Sequence, residues 1–421
     1  MKTKLLLPTF IFFFITSIAF SQDWIKLMND PTVNFYDVQK EFNKAANEER
    51  MDAEKILSDE EDMEENEIPG YLQYKRWEWF TEQRVYPSGD RSMISKSLYD
   101  VKQKLFTASS NRLASAGNWT LLGPNTTFPV GSGAGRINCI AIHPTNSNII
   151  FVGAASGGLW KTTDGGSTWS TNTDNFAVLG ITDIAIDPVN PNIMYIATGD
   201  GEHSDNYSVG VLKSTDGGNT WNITSLSFSI IQNNQMYRLA INPANPNMIY
   251  AGSSLGLYLS KDAGATWVKT LNVAGVKNIE FKPQHSNVVY AVSSTGFYRS
   301  LNAGLSFTKI TSGLPSTSAV NRLAIAVTPA DSNYVYVLAG QSSISGFYGL
   351  YRSTNGGTSF TLQSNKPNIL GWVSNGSDST KGGQSWYTLT IAASPTNKNE
   401  IVTGGVNIWH SSNGGVSWNI M

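Results

Sequence analysis

The stretch ATGDGEHSDNYSVG, residues 197–210, gathers Asp200, Glu202, His203, Asp205 and Tyr207 into one short segment. A second stretch, LQSNKPNILGWVSNGSDSTKGGQSWY at 362–387, holds Trp372, Asp378, Gln384, Trp386 and Tyr387. Clustered carboxylates have two common uses. Two of them placed across a glycosidic bond supply acid–base or nucleophilic hydrolysis. Several converging on one loop order a calcium ion. Asp200, Glu202, Asp205 and Asp378 are therefore the catalytic candidates if the chain is an enzyme, and the 200–205 loop is a calcium candidate. Tyr207, Trp372, Gln384, Trp386 and Tyr387 are the binding candidates, because flat aromatic faces stack on sugars or anchor a protein partner. His143, His203, His285 and His410 lie far apart without metal-ligand spacing, so no metal site is assigned. The single cysteine, Cys139 in RINCIAIHP, reads as inert strand core.

Another set of acids looks equally chemical and reads as scaffold. KSTDGGNTW, ending at Trp221, recurs as TTDGGSTW at Trp169, SKDAGATW at Trp267, SLNAGLSF at Phe307, STNGGTSF at Phe360 and SSNGGVSW at Trp418. The third position is Asp164, Asp216 and Asp262, then Asn302, Asn355 and Asn413. An acid–base catalyst does not tolerate that exchange, whereas a turn acceptor does. The glycine at the fifth position occurs in every copy, as a left-handed turn residue does. The aromatic at the end is a large apolar anchor for packing between units.

The elements around each copy repeat too. A strand, a proline turn and a second strand precede each one, as in IAIHPTNSNIIFVG, IAIDPVNPNIMYIA and LAINPANPNMIYAG. A third strand follows, as in GGLWKT or GVLKS, then the quoted stretch as a c–d hairpin turn, then a fourth strand. Copies spaced 40 to 58 residues apart, each of four antiparallel strands, predict blades of a β-propeller. The fold class is therefore all-β, with at least six four-stranded blades over 117–421, the last of them expected to be incomplete. Five residues before the proline, Asp183 and Arg238 fall at one level on adjacent blades, which predicts an ion pair between blades. Three before it stands a small residue in five copies and Glu280 in the other.

Residues 22–116 differ in character. VNFYDVQKEFNKAANEERM spaces its apolar residues by three and four, as a helix does. SDEEDMEENE at 58–67 reads as a solvated acidic linker. YLQYKRWEWFTEQRV and MISKSLYDVKQKLF read as two further helices. Residues 1–21 carry Lys2, Lys4, an apolar run and small residues before Gln22, the pattern of a cleaved secretory signal. The mature chain, without those lysines, stands at about −4. That balance gives no basic excess for nucleic acid. No other segment is apolar enough to span a membrane.

The S/T-x-D-x-G-x-T-W stretches resemble the Asp-box, or BNR repeat, of bacterial sialidases, xyloglucanase-type glycosidases and sortilin-like receptors. With the PxNPxxxY element they are most similar to the sortilin and xyloglucanase branch. This implies a propeller whose boxes lie on outer turns and whose chemistry lies on the opposite, axial face, among the d–a and b–c loops. Xyloglucanase-type enzymes place an Asp just before the Gly-Gly of the first blade; here GAASGGLW offers Ala154, Ala155 and Ser156. Sialidases use an arginine triad and an RIP motif; GRIN at 135–138 lacks the proline, while Arg136, Arg238 and Arg322 stand near the starts of first strands. The 71–90 segment resembles the leader region of surface proteins exported by type IX secretion. The resulting expectation is a secreted or cell-surface propeller that recognises a glycan or an extracellular protein. The alternative is a glycoside hydrolase with its site on the axial face.

Overall fold

The computed structural model describes residues 23–56 except 31, 71–92, a few residues between 96 and 104, and 135–421 apart from 175, 177, 204–205 and 374–381. Residues 1–22 and the 58–67 linker lie outside them, and so do Asp205 and Asp378.

Six four-stranded antiparallel sheets follow one another along the chain. In each, strand a pairs with b, b with c, and c with d. The sixth sheet, expected to be incomplete, has all four strands. Its strand d is the two-residue Asn419–Ile420 paired to Ile408–Ser411. A strand this short still forms because the turn before it fixes the entry of the chain.

That turn works as the repeat implies. Asp164 Oδ1 accepts from the Thr162 hydroxyl at 2.7 Å and the Thr168 N–H at 2.8 Å, and Oδ2 accepts from the Thr168 hydroxyl at 2.6 Å. Asp216 and Asp262 repeat the pattern. In blades 4 to 6 the last bond reverses. Asn302 Nδ2 donates to the Ser306 hydroxyl at 2.9 Å, and Asn355 and Asn413 do the same with Ser359 and Ser417. An amide fits because a hydroxyl both donates and accepts. The fifth-position glycines all have positive φ, from 74° at Gly304 to 97° at Gly166. These turns are also tied to their neighbours. Tyr195, Tyr250 and Tyr290, on strands b, donate to Ala263, Ala303 and Gly356 carbonyls of the next blade's turn.

Apolar clusters fill each successive interface from blades 1–2 to blades 5–6. Among the described residues no such cluster joins blade 6 to blade 1. The residue four before the proline shows the difference. Ile184, Leu239, Ile279, Ile325 and Ile391 are each at most 9% exposed, while Ile140 of blade 1 is 67% exposed. The turn aromatics agree: Trp221, Trp267, Phe307, Phe360 and Trp418 pack into these clusters, whereas Trp169 is 40% exposed. The ring of described blades has one bare seam.

The helical region forms its own small core. α1 (Asp23–Asn29), α2 (Phe35–Ile56) and α3 (Tyr71–Val85) meet at Trp24, Phe42 and Tyr74, with Phe42 stacked on Tyr74 at 3.5 Å. The described residues between 92 and 104 that follow are mostly helical. Buried Arg91 donates to the carbonyls of Leu27, Met28 and Asp30, closing the open end of α1. Trp386 packs on this core, and Tyr99 packs with Tyr207, Val178 and Ile230. The helices therefore sit on the face of the propeller that carries the b–c and d–a loops.

Candidate functional site

The site begins with four irregularities in strands a. Pairing skips Asn138, Thr182, Tyr237 and Asn321, one in each of blades 1, 2, 3 and 5. Such bulges re-aim side chains at the end of a sheet. Here they turn the axial end of each strand into a functional rim. Asn138 donates to Asp200 at 3.2 Å, and the Thr182 hydroxyl accepts from the Gly201 N–H at 3.1 Å. Asn321 meets the Ser385 hydroxyl at 3.0 Å.

On that rim the blade 2 loop meets two arginines. Asp200 is fully buried and forms an ion pair with Arg136. Glu202 is held by Arg322 through two bonds, Nη1 to Oε2 at 2.5 Å and Nη2 to Oε1 at 2.8 Å. Burial works to raise the Glu202 carboxyl, but Arg322, with Lys277 and Arg136 behind it, outweighs that and holds it at about 2. Arg322 also donates to the carbonyls of Trp386 and Tyr387, and Arg136 to the Tyr387 hydroxyl at 3.1 Å. One step down the axis, Arg238 lies 3.7 Å from Asp183 and 3.7 Å from Glu280. The inter-blade pair of Asp183 and Arg238 expected from the sequence is thus present, with Glu280 as an added partner. Burial raises both carboxyls, opposed by Arg238. A cavity of about 610 Å³ joins the two levels, lined by Arg136, Glu202, Tyr237, Lys277 and Arg322 above and Asp183, Arg238 and Glu280 below.

Of the residues proposed from sequence, the structure brings Asp200, Glu202 and Tyr387 together at this mouth. Two of the proposed binding faces are corrected. Tyr207 is 2% exposed, because Val178, Ile230 and Tyr99 enclose it, so its ring offers no stacking surface. Trp386 is partly covered by the helical core. Trp372 lies against the Gly382 turn and does not line the cavity. Gln384 uses its backbone carbonyl to accept from Tyr387 and Thr388. The calcium expectation for 200–205 falls partly on Asp205, outside the described residues, and the oxygens of Asp200 and Glu202 are engaged by Arg136 and Arg322. Sequence reasoning missed Lys277, Tyr237 and the role of Glu280. The available signal for Glu280 was its place where the other strands a carry alanine.

No family model matches the chain. Over 152 residues it is 34% identical to xyloglucanase Xgh74A of Acetivibrio thermocellus, covering 33% of this chain and 18% of that protein. Over 153 residues it is 33% identical to a xyloglucanase of Hypocrea jecorina, again 33% of this chain and 18% of the relative. The chain thus spans less than a fifth of the curated relatives it matches. Among solved structures it resembles the GH74 xyloglucanase from Xanthomonas campestris, with a TM-score of 0.54 and 19% identity over 68% of this chain and 45% of that one. The GH74 enzyme of Niastella koreensis superposes with a TM-score of 0.50 at 22% identity, over 68% and 45%. The described residues fold as six blades of a xyloglucanase-like β-propeller. These relatives support the hydrolase alternative better than the first expectation of recognition without chemistry. Among the described residues no helix is long and apolar enough to cross a membrane.

Proposed function

We propose that this chain is a propeller of the glycoside hydrolase type that takes a xyloglucan-like polysaccharide on its axial face. One observation carries the reading. The axial cavity is lined by carboxyl groups driven in opposite directions: Glu202 is held ionised at about 2, while Glu280 is raised by burial. Carboxyls pushed apart in this way divide the roles of base or nucleophile and of acid. Glu280 is then the proton donor and Glu202 the ionised partner. The similarity to xyloglucanases names the polysaccharide class. The repeated turns, read as Asp-boxes, are scaffold. Export through the leader at 1–21, by a type IX route, belongs to the same reading.

The test is reducing-sugar release by the full chain on xyloglucan, other β-glucans, and sialylated and sulfated glycans. Release that falls at least a hundredfold in both Glu280→Gln and Glu202→Gln supports the assignment. Release unchanged in both removes it.

Recognition without hydrolysis is the second reading, as a module that binds a glycan or an extracellular protein. It is favoured by the engagement of both Asp200 and Glu202 in arginine pairs, since a carboxylate so held is a weak base. Binding to one of these glycans with no release on any of them selects it.

A further inference from the structure

We propose that the channel mouth is a site for a singly charged oxyanion carried on a sugar, a uronate carboxylate or a sulfate ester, with Lys277 as its principal contact. Among the described residues, the rim sets three cations, Arg136, Lys277 and Arg322, against two carboxylates, Asp200 and Glu202. Arg136 pairs with Asp200 and Arg322 with Glu202. Among the described residues, Lys277 has no carboxylate within ion-pair distance. Its ammonium instead lies over the Tyr237 ring, 4.9 Å from the centroid.

Lys277 lines the cavity, with Arg322 and Tyr387 on the same wall system. At about 610 Å³ the cavity is of the size that holds a sugar residue or two. An oxyanion at the mouth would meet the point charge of the Lys277 ammonium, a group that binds such oxygens well. A neutral sugar would leave the ammonium desolvated without a counter-charge.

The next level of the channel sets the position. There the balance inverts, with Arg238 alone between Asp183 and Glu280. An anion is therefore drawn to the mouth and repelled from the interior, which holds an acidic sugar in one orientation. Burial and the neighbouring Arg322 depress the Lys277 ammonium to about 8, against the pull of Glu202 and Asp200. Of the groups around it, Tyr237 is pushed up to about 12 by burial and Glu202 is held down at about 2, chiefly by Arg322 against burial.

That the anion is carried on a sugar rests on the proposed function; that the site takes an anion rests on Lys277. The experiment separates the two. Binding of a galacturonan tetrasaccharide, a sulfated glucan tetrasaccharide, cellotetraose and plain acetate to the full chain is measured by calorimetry at low salt. The expected result is at least a tenfold preference for one acidic oligosaccharide over cellotetraose. That preference is lost in Lys277→Met and kept in Lys277→Arg. It declines above about pH 8 in the native chain but not in Lys277→Arg. Which acidic oligosaccharide wins tells carboxylate from sulfate. Acetate binding that depends on Lys277, with no oligosaccharide preference, keeps the anion site and overturns the sugar. Equal affinity for acidic and neutral sugars without Lys277-dependent acetate binding, a preference that survives Lys277→Met, or no binding at all overturns the proposal.

Discussion

Arg322 of blade 5 and Glu202 of the blade 2 loop join opposite sides of the ring, with two hydrogen bonds of 2.5 and 2.8 Å across the axis. The pair links a bulged first strand to a loop more than a hundred residues away in sequence. Removing one partner strands the other among buried groups. Arg322→Met is expected to destabilise the propeller by about 3 kcal/mol. The Arg322→Met/Glu202→Gln double variant is expected to recover part of that loss. Urea titration of the native chain and the two variants measures both.

The same pair predicts an acid limit. Glu202 is held at about 2, below its ordinary value, so the native state binds its proton less readily than the unfolded chain. The stability it contributes is complete above the unfolded value of about 4.3 and is lost as pH falls towards 2. Glu202→Gln should flatten the fall in melting temperature between pH 4.5 and 2.5.

The c–d turns predict a gradient around the ring. Asp164, Asp216 and Asp262 sit at about 2, held down first by the hydroxyls of Thr168, Thr220 and Thr266. Blades 4 to 6 carry amides, which do not titrate. Hydrogen exchange at pH 2 should therefore loosen the turns of blades 1 to 3 first. Changing all three aspartates to Asn should even out the six blades, since the amide donates to the hydroxyl instead.

Ties between blades predict a small, repeated cost. Tyr250→Phe removes the hydroxyl that donates to the Ala303 carbonyl and should destabilise by about 1 kcal/mol. Tyr195→Phe and Tyr290→Phe should cost about the same, and the distant pairs should add. Thermal melts of single and triple variants check the sum.

The cap predicts a separable event. Trp386 of the propeller packs on the helical core, so Trp386→Ala should make 23–92 more sensitive to limited proteolysis. The propeller's own melting should remain. Equal protease sensitivity of variant and native chain would show that the helices are held elsewhere.

The propeller is legible in the sequence because its units recur. Turn residues at Asp164, Asp216 and Asp262 are specified by local hydrogen bonds, and local chemistry repeats visibly. The pair of Asp183 and Arg238 follows from the same regularity, since equal offsets from a proline place residues at equal depth. The mouth is not legible in this way. It is built where the repeat breaks, at bulges that skip Asn138, Thr182, Tyr237 and Asn321, and a bulge leaves no signature in an apolar run. Tyr207 misleads for a related reason. Its loop reads as exposed, and Val178 and Ile230 of neighbouring loops together with Tyr99 of the helical region enclose it.

The Arg322–Glu202 pair spans the bore rather than running around it. The packed interfaces from blade 1 to blade 6 hold each blade to its neighbour along the circumference. A bond along a diameter works as a strut does in a wheel, fixing the distance between parts that share no common edge. One ionised glutamate therefore contributes to the placement of two blades that do not touch.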